Sequence, residues 1–145
     1  MGSRFAYIDL DRLRVTDYTQ KLISEESMLG RDCYVIERLP ASEKITNKTG
    51  YHKTRIWVDK ERLVVVKQTF FDARGVEFKQ MTATKVEKIQ DIWTVTQADM
   101  QDFVSQRTSS LIFNNTRYNV GLSDHLFQRN IMKTGVNSGN LPKLR

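Results

Sequence analysis

Tyr51-His-Lys-Thr-Arg-Ile-Trp-Val-Asp59 and Leu63-Val-Val-Val-Lys-Gln-Thr-Phe-Phe-Asp72, followed closely by Gly75, decide the fold class of this chain. Both segments are rich in β-branched and aromatic residues and alternate with the period of two that belongs to a strand. Asp59-Lys-Glu-Arg62 reads as the turn between them, and Asp72-Ala-Arg-Gly75 as the next, with Gly75 free to take positive φ. In the second segment Val64, Val66 and Phe70 share one face, while Leu63, Val65 and Phe71 share the other. A sheet with one wet face would alternate more cleanly. Both faces are therefore expected to be covered at the centre of the sheet, one within the fold and the other by a cavity or a partner.

The same pattern extends outward in both directions. Asp9 to Val15 reads as one helical turn or a loop. Asp17 to Met28 and Cys33 to Leu39 read as a hairpin turning at Leu29-Gly30-Arg31-Asp32, with Pro40 as the stop. Ala41 to Gly50 is polar and reads as a loop. Val76 to Ile89 predicts one long, bulged strand; Gln90-Asp91 turns it into Ile92 to Met100. Phe103 to Val120 reads as a further strand bent at Asn114-Asn115. Ser123 to Met132 predicts a short helix with Ser123 as N-cap, and residues 134–145 a loose tail. The sum is a mainly β, α+β domain over 1–145: a curved antiparallel sheet of about seven strands in meander order, with one late helix.

Length and composition fit this reading. A chain of 145 residues can bury a real core. No apolar run approaches the roughly 20 residues that a spanning helix needs, and Met1 to Asp9 has no hydrophobic leader segment. Net charge is +6, but both signs are interspersed and no Lys/Arg block appears. The charge therefore reads as a solvated surface, and no nucleic-acid partner is expected. Trp57, Trp93, Phe70, Phe71 and Phe78 could stack bases on an open sheet, yet no basic stripe runs between them. Cys33 is the only cysteine, so no internal disulfide forms, and its place before a strand reads as a buried, inert thiol.

Catalytic signals are missing. His52 falls in a strand and His125 in the short helix, neither with Cys, Asp or Glu at ligand spacing. Glu25 and Glu26 are adjacent and would face opposite sides of a strand. There is no phosphate-binding glycine loop and no nucleophile elbow. The expectation is no catalytic residue, no metal, no cofactor, and no enzyme.

Several segments together resemble the outer-membrane lipoprotein-sorting, LolA/LolB-like family. They are Asp17-Tyr-Thr-Gln-Lys-Leu22, Gly30-Arg-Asp-Cys-Tyr-Val-Ile-Glu37 with Pro40, and Trp57-Val-Asp-Lys60. Phe71-Asp72, Gly75, Lys79, Ile92-Trp93, Met100, Thr108, Leu111 and Asn119-Val-Gly-Leu-Ser-Asp124 with Phe127 continue the series. The resemblance runs from about Phe5 to Met132 and covers the C-terminal part of the family pattern. Family members are longer, with a signal sequence and a first half of helix and strand. Met1 to Leu10 itself resembles an internal family stretch, so the chain reads as an N-terminally truncated fragment.

The resemblance implies half of an incomplete, curved β-barrel in the periplasm that buries acyl chains of lipids or lipidated proteins on its concave face. Strand alternation nominates Ile56, Val58, Val64, Val66, Phe70, Phe78 and Trp93 as lining. The alternative is a protein-interaction accessory of an RND/MMPL-type inner-membrane exporter that binds no lipid. An exposed sheet face or edge would also suit a homodimer.

Overall fold

The computed structural model describes residues 2–11 and 14–129. The chain divides into two compact units, Met1–Asn114 and Asn115–Arg145. The first holds a seven-stranded antiparallel sheet with the strands in chain order. These are β1 (Tyr18–Met28), β2 (Arg31–Pro40), β3 (Lys53–Asp59), β4 (Val65–Phe71), β5 (Glu77–Ile89), β6 (Ile92–Asp102) and β7 (Arg107–Ile112). Helix α1 (Tyr7–Leu10) and a 3-10 turn at Val15–Asp17 precede the meander, and helix α2 (Glu43–Thr49) interrupts it between β2 and β3. The expected curved meander of seven strands is the observed fold.

Bulges curl this sheet. The registers leave one extra residue at Ile23 in β1, Val66 in β4, Phe78 and Thr84 in β5, and Thr96 in β6. Each bulge bends its strand and raises the local twist. Each also shifts the alternation by one, so the expected faces of the fourth strand change. Leu63 is outside β4, at φ 55 and exposed, because its N–H closes the turn onto Asp59 O at 2.9 Å. Val66 packs with Cys33, Val35, Trp57 and Ala83, while Phe70 packs with Tyr51 and Met100.

Three boundaries differ from the sequence expectation. Residues 43–49 form helix α2 in the segment read as a loop, opened after extended Ser42 and closed by Gly50 at φ 73. Its seven residues are mostly polar, so no apolar stripe announced it. Residues 103–106 are a turn, because Asp102 Oδ1 accepts the N–H of Val104 at 3.0 Å and of Ser105 at 2.8 Å. The strand after it ends at Ile112, and residues 113–120, read as its continuation, form no strand, with Asn115 and Asn119 at positive φ. In the second unit, described as far as residue 129, Asp124–Phe127 is a 3-10 turn within the expected helix. The rest of that helix and the tail 134–145 lie outside the described residues.

Three of the rings are each covered by a cation. Lys67 lies 4.6 Å from the Trp57 ring, Arg62 4.6 Å from Trp93, and Lys53 4.5 Å from Phe71. Trp57 Nε1 also donates to Glu26 at 2.9 Å. Cys33 is fully buried, and burial pushes its thiol upward, with the charge of Asp59 adding to the effect.

Candidate ligand-binding site

The register of β4, β5, β6 and β7 brings a mainly apolar group of side chains to neighbouring positions. Gln68 pairs with Met81, Met81 with Met100, and Ala98 with Leu111. Phe70, two residues on from Gln68, falls on the same side of β4. These residues line a cavity of about 350 Å³, joined by Val64, Val65, Val95 and Phe113. Phe5 and Leu10 from the N-terminal segment complete it. Its size and apolar lining suit a small ligand or part of a larger one.

Of the residues nominated by strand alternation, Val64 and Phe70 line this cavity. Val66 belongs to the neighbouring cluster around Cys33, and Phe78 packs beside Tyr51, Phe70 and Met100. Ile56 is buried and Val58 half-buried, and neither is in the lining; Trp93 sits under Arg62. Sequence reasoning missed Met81, Ala98 and Met100, whose convergence depends on strand register. Met100 and Leu111 were, however, among the positions carrying the family resemblance.

Polar chemistry enters the cavity through Asp9, at the end of α1. Its Oδ1 accepts the Tyr51 hydroxyl proton at 2.6 Å, and its Oδ2 accepts from Lys79 Nζ at 2.6 Å. Oδ2 also accepts the N–H of Ala6 at 2.7 Å, and Lys79 Nζ reaches the Tyr51 oxygen at 2.9 Å. The side chains of Lys79 and Asp9 are 7% and 4% exposed, so this is a buried ion pair. The Tyr51 ring packs against Phe70 at 4.5 Å between centroids, tilted by 50°. Burial pushes the Tyr51 phenol far above its usual range, and the Asp9 carboxylate that accepts its proton pushes the same way. Local pattern did not mark Asp9 as a site residue, because its partners lie 42 and 70 residues away, although Asp9 and Lys79 both fall in stretches that carry the family resemblance.

Among the described residues no group of three His, Cys, Asp or Glu could hold a metal. No described helix is long and apolar enough to cross a membrane.

A bulged, open seven-stranded meander with a short helix contributing to its apolar cavity defines a LolA-like fold. An outer membrane lipoprotein-sorting protein domain assigned in Vibrio parahaemolyticus matches with a TM-score of 0.82 and 28% identity, over 92% of this chain and 55% of that one. A DUF1329 family protein from Desulfovibrio piger matches at 0.78 and 33%, over 88% and 52%. A LolA superfamily protein from Nitrosomonas europaea, 20% identical at a TM-score of 0.66 over 90% and 58%, shares the fold. The chain thus spans about half the length of these solved structures. It belongs to the family whose model, described as "-like: Uncharacterized protein", matches residues 1–134. No curated protein matches it.

Proposed function

We propose that this chain is a lipid- or lipoprotein-binding carrier module of the lipoprotein-sorting type, acting in the periplasm without catalysis. The observation that carries this reading is the apolar cavity between Phe70, Met81, Ala98 and Met100. Burying an alkyl chain there is favoured by about 0.8 kcal/mol per CH₂, and release needs no bond to break. The likeness to a lipoprotein-sorting domain supports the same reading. An inner-membrane exporter of the RND/MMPL type is the partner we propose on the resemblance.

Lipid extraction and mass spectrometry of the purified protein, with titration of a fluorescent acyl probe, test the cavity. Ala98→Trp, which fills it, should weaken probe binding about tenfold or more, as expected when burial of two or more methylenes is lost. Absence of both copurifying lipid and probe binding would overturn the proposal and favour the accessory that binds no lipid.

A further inference from the structure

Asp9, Tyr51 and Lys79 form the one buried ion-paired cluster that borders the apolar cavity among the described residues. Their arrangement divides into a fixed part and a removable part. Lys79 stands within β5, hydrogen-bonded into the sheet on both sides, and Tyr51 precedes β3 with its ring wedged on Phe70. Asp9 belongs to a helix of only four residues, in which its own side chain is the buried one while the residues as a whole stay half-buried or exposed. Tyr7 in that helix is 97% exposed and Leu10 57%. Ile8 of the helix, and Phe5 before it, pack at the edge of a core cluster; Asp9 is the helix's buried polar contact, while Arg4 and Asp11 on either side pair with Asp102 and Lys48.

The anchor has the geometry of a bound carboxylate. One oxygen meets an ammonium and the other a phenol; Asp9 itself lines the apolar cavity, as does Phe70, against which the Tyr51 ring packs. Lys79 Nζ also lies 5.4 and 5.2 Å from the Tyr51 and Phe70 ring centres, so it is poorly hydrated. A buried ammonium stripped of its anion is costly. Whatever displaces Asp9 must therefore bring a negative charge, and what fills the adjoining cavity must be apolar.

We propose that Lys79 and Tyr51 form a carboxylate subsite for a long-chain carboxylic acid, with Asp9 occupying it as an internal stand-in when no ligand is bound. The proposal rests on the acyl-binding reading above and adds the head group to it. The incoming carboxylate replaces Asp9 on the same two donors, its alkyl chain enters between Phe70 and Met100, and α1 is released from the sheet.

The experiment compares cis-parinaric acid with its methyl ester, which shares the chain and lacks the charge. Removing the competitor in Asp9→Ala should tighten the acid about tenfold, the size of an ordinary coupling between competing contacts, and leave the ester unchanged. Adding Tyr51→Phe to that variant should reduce the preference for acid over ester. Hydrogen exchange on the unaltered protein supplies a readout that needs no variant. Saturating acid should deprotect the Ala6 and Asp9 amides, and the ester should not. Equal gains for acid and ester, or no acid-specific deprotection, would overturn the carboxylate subsite while leaving the acyl cavity standing. Failure of both ligands to bind any form would overturn both readings.

Discussion

At the scale of single residues, Asp59 shows how one buried carboxylate organises a turn. Its side chain is 1% exposed, and Oδ1 accepts the N–H of Glu61 and of Arg62, each at 2.9 Å. Oδ2 pairs with the Arg31 guanidinium. Burial works to raise its pKa, but the two N–H groups and Arg31 outweigh burial and hold it below the usual aspartate range. A carboxyl depressed on folding adds stability above its unfolded pKa, and that stability is lost as pH falls through the folded value. At pH 7 the charge-assisted bonds are expected to contribute about 1.5–3 kcal/mol. Urea unfolding of Asp59→Asn should therefore show a lower midpoint than the parent at neutral pH. The gap should close as pH falls toward the folded-state pKa; a gap independent of pH would contradict the assignment.

At the scale of elements, the turns carry more strain than their sequences suggest. Leu29 and Gly30, at φ 54 and 73, join β1 to β2, and Gln90 and Asp91, at φ 48 and 65, join β5 to β6. Paired positive φ values mark the turn type that favours Asn-Gly, and leucine is poorly suited to its first place. Leu29→Asn should raise stability by up to about 1 kcal/mol, a fraction of the left-handed penalty, seen as a higher urea midpoint with an unchanged slope. These strands and turns were legible because alternation and turn residues are local signals. Strand order followed from short connections, and the family resemblance reinforced it. The cavity was only partly legible. Val64 and Phe70 were found by parity, but the bulge at Val66 reset the parity between them and their neighbours. Met81, Ala98 and Met100 needed the register, which no single strand reveals.

At the scale of the whole molecule, an open sheet leaves β1 and β7 with one strand neighbour each among the described residues. β7 is short, whereas β1 runs for 11 residues and would template another chain if it were flat. The Ile23 bulge interrupts it, and Lys21, Glu25 and Glu26 place charge along it. Deleting Ile23 removes the extra residue without changing the pairing on either side, so the variant should fold with a flatter edge. Sedimentation at tens of micromolar should then show more self-association than the parent shows; a variant that associates no more than the parent would show that the bulge has no protective role. The cation-covered rings carry a different consequence, an optical one. Both tryptophans of the chain, Trp57 and Trp93, lie outside the cavity lining beneath Lys67 and Arg62. Trp57 is buried in the cluster around Cys33, so native indole emission reports on that cluster and on the two cations, and on the cavity only indirectly. An indole placed at Phe70, with both native ones changed to phenylalanine, would turn the cavity side of the sheet into the luminous one.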